Sequence, residues 1–157
     1  MHMSTTENIQ MRLLSVNEVS FSMDLSNVDE NINPDNLQIG FANQIIPDIE
    51  KNTISIIFGV QYVYETKKVL DCIYKFSFEV MDLNRFVVVD GDNITISYIM
   101  PHFLSVIIGT MRGILVVRTA GTLFAKYPLP MFDVNALNKV DFPTFGNPTI
   151  PQLKPIF

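Results

Sequence analysis

The chain has few of the residues on which most enzymes and disulfide-stapled proteins depend. Cys72 is its one cysteine, which excludes an internal disulfide and fits a reducing compartment, so 157 residues must be held together by packing. Tryptophan is absent, and His102 is the sole histidine outside the first few residues. No multi-histidine metal centre can form from it, and a lone histidine at a helix start reads as structural. There is no glycine-rich loop with a lysine to cradle phosphate. AspGlyAspAsn from Asp90 lacks the further spaced carboxylates of a calcium loop and reads as a turn. Basic residues are also scarce, 11 Lys and Arg against 16 Asp and Glu, for a net charge of −5. Without a basic stripe to neutralise phosphates, nucleic acid is not an expected partner. No catalytic set assembles, so neither enzymatic activity nor a cofactor or metal is expected. The opening MHMSTTENIQ is polar and lacks the apolar run of a signal peptide, so the expected location is cytoplasmic.

What the chain does have is apolar content. Hydrophobic residues make up 48% of it, and its mean hydropathy is +0.25. Such an excess means either an unusually rich core or apolar surface used between molecules. The length suits one domain with a substantial core.

Alternation of apolar and polar residues marks the strands. Leu13 to Leu25 alternates through Val19, Phe21, Met23 and Leu25, with Leu14 and Val16 in the opposite phase, which predicts a bulge near Asn17 and Glu18. Leu37, Ile39 and Phe41 begin a second strand that runs to Pro47. Ile54, Ile56, Phe58, Val60, Tyr62 and Tyr64 share one face of a third. Leu70, Cys72, Tyr74, Phe76, Phe78 and Val80 share one face of a fourth, opposite Asp71, Lys75, Ser77 and Glu79. The link between these two is too short for a parallel crossover, so the sheet is at least partly antiparallel. Cys72, on the apolar face, is expected to be an inert thiol. PheValValValAsp from Phe86 reads either as a fifth strand or as an extended crossover.

The longest apolar run is SYIMPHFLSVIIGTMRGILVVRTAG, residues 97–121, a helix opening near Pro101, capped by Thr95 or Ser97 and closed by Gly121. It is the nearest thing to a membrane span, but Pro101, His102 and Arg112 interrupt it, and a charge at mid-span costs roughly 3 kcal/mol. No span is therefore expected. Phe103, Leu104, Val106, Ile107, Ile108, Met111, Ile114, Leu115 and Val117 fill an arc of about 200°, roughly twice what an ordinary amphipathic helix needs. A strip of Ser105, Gly109, Gly113 and Ala120, with Arg112 at its edge, lets another backbone come close. Such a helix expects a sheet on one side and a second subunit on the other. Ordinary packing within one chain is the competing reading.

An ordered series of residues resembles the SecB family of protein-export chaperones. Phe76, Glu79 and Val80 match a strand ending Phe-x-x-Glu-Val, and Phe86 matches an aromatic six residues later. Pro101 matches the helix opening and Arg112 a basic residue within it. Gly121, Thr122 and Phe124 match the turn after the helix with one insertion. Pro130, Phe132, Asp133 and Leu137 match a following Leu-x-Pro-x-x-Phe-Asp-x-Leu-like segment. Arg12, Glu18, Ser20 and Phe21 are similar to the family's first strand with a shift of one residue. The family's second helix is replaced here by a tail with prolines at 143, 148, 151 and 155, and Ser22 and Ser77 stand where it has an acidic residue and a leucine.

The resemblance implies an α+β fold, a four-stranded antiparallel sheet packed on one long helix with an extended C-terminal tail. It divides the chain into a flexible arm (1–11), a SecB-like domain (12–137) and a proline-rich tail (138–157). It further implies a homotetramer, a dimer of dimers, that holds unfolded polypeptide clients without ATP. The client groove is expected from Phe76, Met81, Leu83, Phe86, Leu123, Phe124, Tyr127, Leu129, Met131 and Phe132. The oligomer interface is expected at Ser105, Gly109, Arg112 and Gly113. Glu18 and Glu79, on a shared solvent face, are the surface expected to meet a SecA-type motor. Serving one partner such as an antitoxin, binding a small ligand in the aromatic cleft, and a purely structural oligomer are the alternatives.

Overall fold

A computed structural model describes residues 8–26, 28–29, 31–131 and 152–153. Four long strands carry the fold: β1 Met11–Met23, β2 Leu37–Asp48, β3 Thr53–Tyr64 and β4 Lys67–Val80. They form an antiparallel sheet in the order β1-β4-β3-β2. This is a Greek key, in which three hairpin-linked strands are joined by a fourth beside the last. A hairpin of β5 Val87–Asp90 and β6 Asn93–Ile96 follows, then helix α1 Met100–Arg118. A two-residue strand, β7 Gln152–Leu153, adds to the free edge of β2. The architecture is therefore α+β, a four-stranded antiparallel sheet with one helix.

The alternating pattern on β4 becomes alternating burial along its length, because one face meets the helix and the other does not. The β3–β4 turn is tight: Glu65 and Thr66 both take positive φ (48° and 76°), the geometry of a two-residue hairpin of the primed type. Thr66, β-branched and left-handed, is strained there. The β2–β3 turn is tied down by Asn52 (φ 55°), whose carbonyl accepts from Val80 N at 2.8 Å and whose side-chain oxygen accepts from Leu83 N at 3.2 Å.

Along α1, Phe103, Leu104, Ile107, Ile108, Met111 and Leu115 are buried on the sheet. Phe103 packs against Phe78 of β4 with ring centroids 4.6 Å apart and the rings tilted by 44°. By length and composition α1 could cross a membrane, but these six side chains belong to one core with the inner face of the sheet. Pro101 lies in its first turn as expected, but neither Thr95 nor Ser97 caps it; Ile99 occupies that position without a side-chain bond. At the other end Thr119 Oγ1 donates to Leu115 O at 2.6 Å, and Gly121 (φ 77°) turns the chain away.

Two local expectations need correction. The first strand begins and ends two residues earlier than its alternation suggests. Its pairing with β4 is interrupted twice: between Glu18 and Ser20, next to the bulge expected near Asn17 and Glu18, and also between Leu13 and Ser15, which was not expected. The interruption at Leu13 and Ser15, between Arg12 and Glu18, puts Glu18 opposite Tyr74, on the face that the helix covers.

Candidate functional site

The expected client residues divide by burial. Phe76, Leu83, Phe86, Phe124 and Leu129 are all at most 3% exposed. They are core: Phe124 packs edge-on against Tyr62 at 5.9 Å, and the Tyr62 hydroxyl donates to Tyr127 O at 2.7 Å. They belong to the one core cluster that the sheet shares with α1, and among the described residues they offer no groove. Leu123 and Tyr127 are half-buried against the same core, whereas Met81 and Met131 are 58% and 76% exposed. Phe132 lies outside the described residues. Met81 lines an open cleft of about 340 Å³ with Gln10, Met11, Arg12, Lys51, Asn52 and Glu79, a site of mixed polarity with an ion pair at its wall.

The expected interface residues divide as well. Ser105, Gly109 and Gly113 lie on the outer face of α1, exposed, and a Cβ built at either glycine meets nothing within 4 Å. Arg112 has a different task. Its Nε donates to Leu129 O at 3.0 Å and its guanidinium to Pro130 O at 2.8 Å, so it pins the segment after the helix from within the same chain. It is removed from the outer strip by these bonds.

Glu18 and Glu79 do not share a face. Glu79 stands on the side of the sheet away from α1, paired with Arg12 at 3.1 Å. Glu18 accepts from the Tyr74 hydroxyl at 2.9 Å and from Arg118 of α1 at 2.9 Å, and Arg118 lies over the Phe21 ring at 4.2 Å. The β1 bulge is the physical reason: one extra residue inverts the phase, so the carboxylate falls where it can anchor the end of the helix. Burial, with Glu18 as acceptor, pushes the Tyr74 hydroxyl up to about 12. Burial likewise pushes the Cys72 thiol up to about 12, so it stays protonated and unreactive. Among the described residues no group of three or more metal-ligating side chains converges.

What reaches the surface instead is apolar and uncharged. The outer face of α1 presents Ser105, Val106, Gly109, Gly113, Val116, Val117 and Ala120, with Val116 and Val117 54% and 74% exposed. The β5–β6 hairpin adds Val88, Val89 and Ile94, and Tyr98 between hairpin and helix is 80% exposed at φ 68°. Its base is tied in by Ser97 N donating to Phe86 O at 2.8 Å, but its far end, at Gly91 (φ 60°), stands out from the core. The segment from Phe86, open on sequence between a fifth strand and a crossover, is thus half of a hairpin whose second strand was not expected, although an AspGly turn flanked by ValValVal and IleThrIle is a signal for one. Comparison with protein-family models, curated proteins and solved structures finds no match to this chain.

Proposed function

We propose that the chain is an ATP-independent holdase of the SecB type, assembled through the outer faces of its helices and binding unfolded polypeptides on its remaining exposed apolar surface. One observation carries this reading: in a chain of net charge −5, the outer face of the helix from Ser105 to Val117 carries no carboxylate, is small at its centre and apolar at its edges, and has its one cation, Arg112, turned to the carbonyls of Leu129 and Pro130. Surface of that kind marks contact with other molecules. The small strip suits close approach of a second copy. The β5–β6 hairpin, with Met81 and Met131 elsewhere on the surface, suits clients, since methionine and valine adapt to varied apolar side chains.

Each large client side chain buried this way contributes about 1.5 to 3 kcal/mol, without direction and therefore with little sequence preference. Several weak sites on one oligomer add through effective concentration, and the net negative charge keeps a loaded oligomer dispersed. A SecA-type motor, in this reading, meets Glu79 and Arg12 on the outer sheet face, without Glu18. The test is light scattering from a reduced, slowly refolding polypeptide. The wild-type chain should suppress its aggregation, and Val88→Ser with Ile94→Ser should lose that effect while keeping the circular dichroism of the fold. Undiminished aggregation at a molar excess of wild-type chain would sink the reading.

A further inference from the structure

The two edges of the sheet are built differently. β1, on one side, is interrupted twice, carries Arg12 and Glu18, and has no buried residue. Bulges and charges are the devices by which natural sheets keep an edge from recruiting another strand. β2, on the other side, has none of them from Leu37 to Ile46. That stretch, LQIGFANQII, contains no charge and no proline, and it pairs with β3 in unbroken register. Pro47 and Asp48 arrive only at its end. Ile39, Gly40, Phe41, Ala42 and Asn43 are buried in succession. Side chains alternate between faces in a strand, so five buried in a row means that both faces are covered there. At Ile39 and Gly40 the edge itself is taken by the chain's own Leu153 and Gln152, paired antiparallel.

We propose that the edge of β2 is a docking site for an extended strand of another polypeptide, uncharged and free of proline, and that β7 occupies it as a displaceable internal strand. The identity of the donor, an unfolded client, rests on the holdase reading; the acceptor edge does not. The sequence makes β7 a weak occupant. Pro151 precedes it directly and Pro155 follows two residues after it, and neither carries an N–H to donate to a ladder. A backbone hydrogen bond nets only about 1 kcal/mol, so a two-residue ladder is readily exchanged. An incoming strand without prolines has the edge from Ile39 as far as Ile46 to pair with, and Pro47 marks where pairing stops. Main-chain bonds of this kind supply affinity with little regard to sequence, which suits varied clients.

The probe is a fluorescein-labelled peptide of alternating Thr and Val, compared with the same peptide N-methylated on alternate amides. Anisotropy titrations use the full chain, a variant lacking residues 149–157, and the full-length variant Leu153→Pro. Both variants should bind the unmethylated probe about tenfold tighter than the full chain, which corresponds to the loss of one or two backbone bonds, and none should bind the methylated one. Hydrogen exchange should slow over Ile39–Ile46 when the probe is added. Equal affinity for all three chains, absence of probe binding, or protection on β1 instead would each overturn the proposal. Aggregation suppression that persists alongside equal probe affinities removes the edge mechanism but leaves the holdase. Tighter probe binding by the variants, without aggregation suppression by any chain, removes the holdase and supports the edge.

Discussion

Replacing Gly109 and Gly113 together by alanine gives opposite signs under two accounts of the helix. In an exposed helix interior, glycine is less favourable than alanine by about 0.8 to 1 kcal/mol, and a Cβ at either position meets nothing within 4 Å in this chain. If the outer face of α1 stays in water, the double variant is more stable by about 2 kcal/mol, which for a chain of this length raises Tm by roughly 4 to 8 °C. If the strip packs on a second copy, two methyl groups enter a close contact, and overpacking costs about 1 to 3 kcal/mol for each site. At 1.4 kcal/mol per factor of ten, association should weaken by at least about tenfold. We expect the second result: sedimentation velocity across a concentration series should show the wild-type oligomer giving way to a smaller species, with helical circular dichroism retained. A rise in Tm with an unchanged sedimentation distribution would refute the interface, and Gly109→Leu would then be equally silent in sedimentation.

Three further outcomes follow from the placement of single side chains. Phe124→Ala should destabilise the fold by about 3 to 5 kcal/mol, because a fully buried ring against Tyr62 is lost; a denaturant midpoint close to wild type would show that the site collapses or was never packed. Arg112→Ala removes two charge-assisted bonds to Leu129 O and Pro130 O. It should cost about 2 kcal/mol in thermal unfolding while leaving the oligomer intact; dissociation without destabilisation would return Arg112 to the interface. Alkaline pH should destabilise the chain. Cys72 and Tyr74 keep their protons up to about 12 when folded, whereas the unfolded chain loses them near 9 and 10. The unfolded state then binds fewer protons, so stability is full below about pH 9 and falls as pH rises toward 12. Tyr74→Phe should make the decline shallower, and a Tm unchanged between about pH 9 and 11 would contradict the burial of these groups.

The long elements were legible in the sequence because each carries an unambiguous period. Period two over Ile54–Tyr64 and Leu70–Val80 is recovered as alternating burial on β3 and β4, and the short link between them as a hairpin. The apolar arc of α1 correctly marks more apolar surface than one sheet can cover. Side-chain placement at the candidate site was less legible, for two physical reasons. Large aromatics near a proline-punctuated segment look alike whether they line a groove or fill a core, and only the packing of α1 decides that Phe86 and Phe124 are inside. A bulge leaves almost no trace in composition, yet one extra residue in β1 moves Glu18 to the helix side of the sheet and separates it from Glu79. Arg112 shows the same limit: its position on the helix follows from spacing, but its partners are carbonyls seventeen and eighteen residues away.

An exposed apolar helix face on a folded chain invites open-ended aggregation unless association closes on itself. The strip on α1 has the chemistry for closure. Between Ser105 and Val117 its one charge is Arg112, which is turned to the carbonyls of Leu129 and Pro130, so apposition to its own copy brings little like-charge repulsion, and its two central glycines let the backbones approach. A patch that meets the same patch is isologous, and such contacts terminate at a dimer rather than growing a fibre. The blunted edge of β1 points the same way, since its bulges and charges discourage strand pairing at that side. The remaining route to growth is β2, and there the chain places its own Gln152–Leu153. Gly109 and Gly113 weaken the helix, and among the described residues a Cβ at either meets nothing within 4 Å, so the proposed contact with a second copy gives them a use that packing within the described chain does not.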